Sequence, residues 1–595
     1  KHKGVCKSPE CITLAHQLHN WRDVSVDPCQ NFYKAVCGKY NEHSLYNEAS
    51  LSRNTKIVAN VIKEYLHNDF SSSSKSENAI KLFFDKCEAT KRMNTLVTLN
   101  EKREILKMIK QFGSWRLLSK SWNESEFDSN DMLSQITRFG GTRLGFFNLI
   151  LTNEILFIHD PSGITQSIEE VEEVRLFNFF FEFGNMQIQV LMDIVKLSGS
   201  HPDSKMIQKD IKDLMKLNEE KSVNFQLQKI LETTPKRTLA NYLIANLIMR
   251  MSMGNQILDC GMIVIRNLPL ASLRVFTRNH FNKFNLDMAS QLVEDIKESL
   301  KQTIQESTWL QEETKKSALL KLKHMKKTIG YPKELEVPGA LDVFFESVDM
   351  SNKDTYFAAI LEINRFQTEQ TFNNLASLLP MVPDVKLLDS NAFYHMDENH
   401  LKLNVAILDD PFFHTYPTYA KIASIGEVIG HEIGHGFDTD GRKRDEKGKK
   451  RDWWTPEDSK EYDRRAQCLI DQYNNYDDPD YVTFLFQLNG SMTIDEMAAD
   501  QIGVELSWKT YNRVDFSLEP SIFGFEDEKP DKLFFHLTAL VVRKNGINAS
   551  IFLKNWCGPR PKTILSTRTS TKAFAKAFNC PVGSPMNPEN KCELF

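Results

Sequence analysis

The chain is organised around the stretch Val428-Ile-Gly-His-Glu-Ile-Gly-His-Gly-Phe437. Its two histidines, His431 and His435, are four residues apart, so on a helix they lie on one face, one turn apart. Two imidazole nitrogens at that spacing can reach a single metal ion, and Glu432 stands beside the first of them, where a general base is needed. Nitrogen ligands with one open coordination position favour zinc. The stretch therefore predicts a helix that holds one Zn²⁺ per chain.

A second stretch, Ser491-Met-Thr-Ile-Asp-Glu-Met-Ala-Ala-Asp500, supplies carboxylates at helical spacing. Thr493 is a candidate N-cap, and Glu496 and Asp500 then share a face of the helix. A zinc peptidase with this kind of histidine motif needs a third protein ligand and a group that orients an imidazole. Glu496 suits the first role and Asp500 the second. Asp438, three residues after His435, is another candidate for orienting a ring.

Each of these assignments has an alternative. The two histidines could be a chance pair in a core helix, although few histidines occur in the chain, 15 in 595 residues. Asp495 is a rival to Glu496 as third ligand, but on a helix it points to another face. We therefore retain His431, His435 and Glu496 as the predicted ligands.

Length and composition restrict the class of protein. A chain of 595 residues exceeds one simple core, so two or more domains are expected. A composition of 41% hydrophobic and 26% charged residues is typical of a globular protein. The net charge of −5 has no domain-sized basic excess, which argues against a nucleic-acid partner. No apolar stretch reaches the length of a membrane span. Because the chain begins with Lys1 and has no signal sequence, we expect a processed product.

The cysteines point to an extracellular protein. There are ten, clustered towards the two ends of the chain, which suits disulfides that tie the termini together. No CxxC pair occurs, so a cysteine metal site is disfavoured. Glycosylation sequons at Asn123, Asn489 and Asn548 fit the same environment.

Short extended segments precede the metal helix. Asn391–Tyr394 and Leu403–Leu408 are separated by a polar turn and predict two strands. An edge strand beside the active helix of a zinc peptidase can pair with the backbone of a substrate, whereas the alternative is an ordinary structural hairpin. Elsewhere the pattern is mostly amphipathic helix, with one hairpin predicted across 146–158 and long charged helices across 286–327.

Several motifs spread over nearly the whole chain resemble one family. With the metal helix in hand, the sequence is similar to the neprilysin family of zinc endopeptidases, which includes the endothelin-converting enzymes. The matching motifs are Asp27-Pro28-Cys29 to Cys37-Gly38, Thr308-Trp309 with Glu313-Thr-Lys-Lys316, Ile329-Gly-Tyr-Pro332, Asn391-Ala-Phe-Tyr394, Val428–Asp438, Asp452-Trp-Trp-Thr455, Ile494–Asp500, Trp556-Cys557-Gly558 and Pro585-Met-Asn-Pro588 with Cys592.

The resemblance implies a mainly α, two-lobed gluzincin metallopeptidase. A thermolysin-like catalytic lobe with a small β-sheet and the zinc helix would comprise residues 1–55 and 280–595. A helical lid lobe, residues 56–279, would enclose a central cavity that admits short peptides. The protein would be secreted or the ectodomain of a single-pass type II membrane protein, and both a monomer and a dimer are compatible with the sequence.

The resemblance also assigns roles residue by residue. His431, His435 and Glu496 match the zinc ligands, and Glu432 matches the catalytic base. Asp438 and Asp500 match the carboxylates that hold the ligand rings, and Asn391 and Ala392 match the strand that grips the peptide backbone. The implied disulfides are Cys6–Cys11, Cys29–Cys580, Cys37–Cys557, Cys87–Cys260 and Cys468–Cys592.

The sequence departs from the family between Cys557 and Cys580. Active relatives carry there a histidine and then an arginine that stabilise the oxyanion and grip the substrate, whereas this segment contains no histidine. Arg560 and Arg568 lie outside the family's context, and Glu593 replaces a common arginine. Arg560, Arg568 and His536 are the candidates to take over the missing roles. Two functions follow: a zinc endopeptidase with reduced or altered activity, or a peptide-binding decoy that retains zinc with little turnover.

Overall fold

The structure is a computed structural model. It describes, apart from a few single positions, residues 4–43, 50–68, 74–92, 99–112, 123–140, 148–152, 155–159, 233–253, 259–333, 337–377, 387–409, 416–474, 490–540 and 572–595. The predicted sites Asn489, Asn548 and Cys557, and the segment with Arg560 and Arg568, lie outside this part of the chain.

The described residues are mostly helical. The α-helices are α1 (Pro9–Asn20), α2 (Phe32–Cys37), α3 (Ser50–His67), α4 (Lys75–Arg92), α5 (Leu99–Gln111), α6 (Ser129–Gly140), α7 (Lys236–Met253), α8 (Cys260–Asn267), α9 (Pro269–Asn279), α10 (Phe284–Glu306), α11 (Glu312–His324), α12 (Ala340–Phe344), α13 (Tyr356–Ser377), α14 (Thr418–Ala423), α15 (Ile425–Gly434), α16 (Pro456–Asn474), α17 (Gly490–Tyr511), α18 (Pro530–Leu540) and α19 (Lys572–Phe578). The strands are β1 (Val5–Cys6), β2 (Asn148–Thr152), β3 (Ile155–His159), β4 (Lys326–Gly330), β5 (Ala392–His395), β6 (His400–Asn404) and β7 (Ser521–Ile522).

The chain divides into two compact units, each built from separate segments. The first comprises Lys1–Val61, Phe276–Leu335 and Lys386–Phe595, and the second Ile62–Val275 and Glu336–Val385. The segment 336–385 therefore clusters with the second unit, whereas the resemblance placed it in the catalytic lobe. The reason is the packing of α13, which lies against α4, α5 and α6. The assignment of catalytic and lid roles to the units stays a prediction.

The first unit contains the predicted metal helix. Helix α15 packs against α17, and α10 packs against both. A three-stranded sheet in the order β4-β6-β5 lies beside them, with β4 parallel and β5 antiparallel to β6, and β5 contacts α15. All residues of α15 except Glu427 are buried, so His431 and Glu432 lie on a core helix. Strand β1 pairs with β7 and so joins the N-terminal segment to residues 521–522.

The second unit is a helical assembly with one hairpin. Strands β2 and β3 pair antiparallel, which confirms the hairpin predicted from the sequence. Helix α4 packs against α8, and the disulfide Cys87–Cys260 joins these two helices.

Two local predictions are wrong. The extended segment predicted to reach Leu408 ends at Asn404, because residues Val405–Leu408 turn into a buried 3₁₀ helix. Thr493 is not an N-cap, because α17 begins three residues earlier at Gly490, whose N–H donates to the side chain of Asn474 at 2.7 Å.

The disulfides follow the expected pattern. Those with both cysteines described are Cys6–Cys11, Cys29–Cys580, Cys87–Cys260 and Cys468–Cys592, which are four of the five pairs implied by the resemblance. Cys37 is also disulfide-bonded.

Within the described ranges, no single helix is both long and apolar enough to cross a membrane. The pair α8 and α9 meets those criteria only jointly, across a bend of 113°.

Candidate metal centre

Small residues let α15 and α17 approach closely. A Cβ atom on Gly430 would lie 2.9 Å from the Cα and the carbonyl oxygen of Gly503, and one on Gly434 would lie 3.0 Å from the Cα of Ala499. Side chains at these positions would therefore hold the two helices apart. Their absence brings the carboxylates of α17 up to the histidines of α15.

The predicted ligands converge at this crossing. The Nε2 atoms of His431 and His435 lie 2.8 Å apart. One carboxylate oxygen of Glu496 lies 3.5 Å from Nε2 of His431, and the other lies 3.6 Å from Nε2 of His435. One ligand atom from each residue lies within 4.8 Å of the others, and in the part of the chain that the structure describes this is the one such group of His, Cys, Asp and Glu.

A carboxylate holds the opposite face of each imidazole. The Nδ1–H of His431 donates to Asp500 at 2.5 Å, and that of His435 donates to Asp438 at 2.7 Å. These bonds place a proton on Nδ1 of both rings and turn the two Nε2 atoms towards one another. Two ring nitrogens 2.8 Å apart need a proton or a metal ion between them. The donor set therefore fits a tetrahedral zinc ion with two nitrogen ligands, one carboxylate ligand and one open position.

Negative charge dominates the centre. Burial of His431 lowers its pKa, but the nearby carboxylates of Asp500 and Glu496 outweigh that effect and raise it to about 9. Ion pairing thus overcomes desolvation at this ring, as expected where opposite charges lie within hydrogen-bond distance. The same field favours binding of a divalent cation.

The loop after the metal helix positions Asp438. This carboxylate is fully buried and accepts hydrogen bonds from the backbone N–H groups of Asp440, at 3.0 Å, and Gly441, at 2.6 Å. A Cβ on Gly441 would overlap the carbonyl oxygen of His435, so only glycine allows the loop to fold back this closely. The loop geometry therefore depends on the glycine at position 441.

The geometry also decides between Glu496 and Asp495 as the third metal ligand. Asp495 accepts a hydrogen bond from the hydroxyl of Thr439, which turns its carboxylate towards the loop after the metal helix. Burial, with the charge of Asp438 nearby, raises the pKa of Asp495. Glu496 is the residue that faces the two imidazoles. Glu432, next to His431, is 2% exposed and lies on the same buried helix.

The strand predicted to hold a substrate lies at a sheet edge. Strand β5 pairs only with β6 among the described strands. The carbonyl of Asn391 accepts from the N–H of Asn404 at 3.1 Å, and Ala392 stands opposite Leu403. Hydrogen-bonded and non-bonded pairs alternate in an antiparallel ladder, so the backbone groups of Ala392 point away from β6. The side-chain oxygen of Asn391 is buried and has no hydrogen-bond partner in the described part of the chain.

Sequence reasoning missed several residues that shape the centre. The glycines Gly430 and Gly503 carry no chemical signature, although glycine inside two helical patterns is a signal for close packing. Lys321 and Asn399 are buried, at 1% and 0% exposed, and bond to loops around the site. Lys321 lies in a charged helical pattern and Asn399 in a polar turn, so nothing in the local sequence distinguished them from surface residues.

His536 was one candidate to replace the missing histidine of the family. Its ring lies against the rings of Phe32 and Phe578, with centroids 6.4 and 5.6 Å away. Burial, with the charges of Arg22 and Lys532, lowers the pKa of His536 to about 4. At neutral pH this imidazole is therefore uncharged and sits among aromatic residues.

Comparisons with known proteins agree with this geometry. Neprilysin-2 of Drosophila melanogaster is 27% identical over 99% of this chain and 89% of its own length. Endothelin-converting enzyme 1 of Homo sapiens is 23% identical over 100% of this chain and 88% of its own length. The crystal structure of the zinc metalloprotease Zmp1 of Mycobacterium tuberculosis, in complex with an inhibitor, superposes with a TM-score of 0.66 at 17% identity, covering 95% of this chain and 96% of that one. Two sequence profiles, both described as peptidase family M13, match residues 28–156 with 204–332 and residues 391–594. The chain therefore belongs to peptidase family M13, the group of metallopeptidases that includes neprilysin and the endothelin-converting enzymes.

Proposed function

We propose that the protein is a zinc metalloendopeptidase that hydrolyses short peptides outside the cell. The observation that carries this proposal is the convergence of His431, His435 and Glu496, whose ligand atoms lie within 4.8 Å of one another. The donor set of two imidazoles and one carboxylate is that of a catalytic zinc site. A bound zinc ion would polarise the scissile carbonyl and lower the pKa of a water molecule to about 7.

The chain's own residues would carry the proton transfers. Glu432 would take a proton from the attacking water and pass it to the nitrogen of the leaving amine. Its burial, with 2% of the residue exposed, keeps bulk water away from the carboxylate. Asp500 and Asp438 would hold the two imidazoles in the tautomer that presents Nε2 to the metal.

The edge strand would position the substrate. The outward backbone N–H and C=O of Ala392 can pair with the backbone of an extended peptide, which orients its carbonyl without selecting a side chain. The amide oxygen of Asn391 has no hydrogen-bond partner in the described part of the chain, and because it is buried it would have to be uncovered to accept a peptide N–H. Both contacts are expected to contribute to peptide binding rather than to the bond-breaking step.

An extracellular location is supported by the disulfides. The four pairs with both cysteines described join segments up to 551 residues apart, and such bonds persist in oxidising compartments. The exposed Asn123, whose side chain accepts from the hydroxyl of Ser125 at 2.8 Å, is available for glycosylation.

One observation favours a second function. The sequence between Cys557 and Cys580 contains no histidine. Loss of one oxyanion donor typically costs about 10²–10³ in rate. A protein that binds zinc and peptides but scarcely cleaves them would act as a decoy.

A cleavage assay separates these functions. Purified protein is incubated with a mixture of short peptides, with and without a chelator, beside Glu432→Gln. The exposed Glu313→Gln serves as a matched control for the substitution. We expect chelator-sensitive internal cleavage by the wild type and Glu313→Gln and none by Glu432→Gln. Stoichiometric zinc and tight peptide binding without cleavage would instead establish the decoy.

A further inference from the structure

Lys321, on α11, is a buried lysine close to the metal centre. Its side chain is 1% exposed. The ammonium donates to the carbonyl of Gly441 at 2.6 Å and to that of Arg444 at 2.9 Å. It also lies 5.6 Å from the centre of the Phe437 ring. All three partners belong to the segment that follows His435.

Such burial is costly unless the cation has specific partners. Lysine is almost never fully buried without them. Burial lowers the pKa of Lys321 to about 7, while the nearby carboxylate of Asp438 acts in the opposite direction. Whether charged or neutral, Nζ donates to both carbonyls, and its protonated form does so through charge-assisted bonds about twice as strong as neutral ones. The side chain thus acts as a fixed cross-link between α11 and the loop.

The loop transmits this restraint to the metal helix. Gly441 makes two contacts: its carbonyl accepts from Lys321, and its backbone N–H donates to Asp438. Asp438 in turn accepts from Nδ1 of His435 at 2.7 Å. Three consecutive short contacts therefore lead from the ammonium to an imidazole of the metal centre.

Lys321 is itself held from the other side. The amide of Asn399 donates to the carbonyls of Lys321 and Glu446, both at 3.0 Å. The side-chain oxygen of Asn399 accepts from the hydroxyl of Tyr394, on β5, at 2.8 Å. Asn399 adopts a positive φ of 48°, which asparagine tolerates better than most residues. The side chains of Tyr394 and Asn399 thus connect the edge strand to Lys321 and to the loop at Glu446.

We propose that Lys321 is a positioning residue of the metal centre, which fixes the loop 436–444 so that Asp438 orients the ring of His435. The proposal rests on the zinc site proposed above. Lys321 donates to Gly441 and Arg444 rather than to a metal ligand, so it acts through Asp438. Its loss is expected to weaken metal binding, because a loosened Asp438 no longer fixes the tautomer and direction of His435.

The test compares the zinc affinity of Lys321→Met with that of Lys315→Met. Lys315 lies on the same helix, and its ammonium also contacts a carbonyl, that of Gln305 at 3.4 Å, and a carboxylate, that of Glu312 at 3.1 Å. Zinc affinity is measured by competition with a chelator of known affinity. We expect about tenfold weaker binding in Lys321→Met, the lower end of the range for loss of an outer partner, and wild-type affinity in Lys315→Met.

A merely structural role gives a different result. It would lower the melting temperature of the metal-free protein and leave the zinc dissociation constant unchanged, and that outcome overturns the proposal. Should Lys321→Met fail to fold, Lys321→Gln takes its place. Its amide is uncharged and one atom shorter than the lysine chain, so it loses the paired contacts with Gly441 and Arg444. Weaker zinc binding is expected in that variant too, and wild-type affinity refutes the proposal equally. If the wild type itself binds no zinc, the proposed function fails rather than this inference.

Discussion

Replacing Gly430 by alanine tests whether helix contact sets the geometry of the metal centre. The added Cβ would lie 2.9 Å from the Cα and the carbonyl oxygen of Gly503, about 0.5 Å short of ordinary van der Waals contact. Both are backbone atoms in the middle of α17, so no side chain can rotate away. The helices must separate locally, and Glu496 and Asp500 move with α17.

The expected energy follows from two opposing effects. Alanine is favoured over glycine inside a helix by about 1 kcal/mol. Overpacking of a rigid contact costs roughly 1–3 kcal/mol. The net change is therefore a loss of up to about 2 kcal/mol. At about 2.1 cal/mol/K of unfolding entropy per residue, a chain of 595 residues melts roughly 0.8 °C lower for each kcal/mol, so the melting temperature falls by at most about 2 °C. Zinc affinity is also expected to fall, by at least about tenfold, because the ligand Glu496 and the ring partner Asp500 both lie on α17, the helix that moves.

Gly426→Ala is the matched control. Gly426 lies one turn earlier on the same helix, and its Cβ would meet nothing closer than 3.6 Å, the methyl of Ile296. The same chemical change there should raise stability by about 0.5–1 kcal/mol and leave zinc binding unchanged. Thermal melting of the metal-free forms and chelator competition measure the two effects separately. If Gly430→Ala binds zinc as tightly as Gly426→Ala and melts no lower, the close contact does not set the site geometry.

Three further changes have expected outcomes. Asp500→Asn removes the charge that holds Nδ1 of His431 and should weaken zinc binding, measured by chelator competition, by about 10–100-fold; unchanged affinity would contradict the role of that hydrogen bond. The pKa of His536 is lowered to about 4, so the unfolded chain takes up a proton before the folded chain does as pH falls from about 6.5 towards 4. The free energy of unfolding therefore falls within this pH window, by at most about 1.4 kcal/mol per pH unit, and this histidine does not change it above the window. His536→Phe should remove that part of the pH dependence, measured by denaturant titration at a series of pH values. Replacing both Cys468 and Cys592 by alanine should cost about 2–5 kcal/mol in the same assay, because their disulfide joins residues 124 positions apart; a loss below 1 kcal/mol would show that the C-terminal segment is held by packing alone.

Helical spacing predicted much of the centre from the sequence. Residues four apart share a face of a helix whatever surrounds it, so His431 and His435 could be paired without a structure. The spacing of Glu496 and Asp500 gave the complementary face of α17. Glu432 followed from its place beside the first histidine. These inferences needed only periodicity and the ligand chemistry of zinc.

Contacts between distant segments could not be predicted in that way. The sequence around Lys321 has the composition of an exposed helix, and the carbonyls that bury its ammonium lie 120 and 123 residues later. The cap predicted at Thr493 was wrong because Asn474, on another helix, provides the acceptor that starts α17. Nor does the sequence show that Gly430 and Gly503 meet, since either glycine alone only weakens its helix.

The distribution of charge links the metal to the stability of the fold. Three carboxylates contact the two imidazoles, and Glu432 follows His431 on the same helix. Asp438 and Glu432 are 0% and 2% exposed, and the side chains of Asp500 and Glu496 are 20% and 30% exposed. Like charges held this close destabilise the folded chain, because burial removes the water that would screen them. The raised pKa of His431 expresses the same field, which recruits a proton when no stronger cation is bound. Any ligand that binds only the folded form stabilises it, by about 4 kcal/mol at a thousand times its dissociation constant. The carboxylates that favour a divalent cation therefore also make the metal-free protein less stable than the metal-bound form. The contact between α15 and α17 brings the metal ligands together, and a bound metal in turn stabilises that contact.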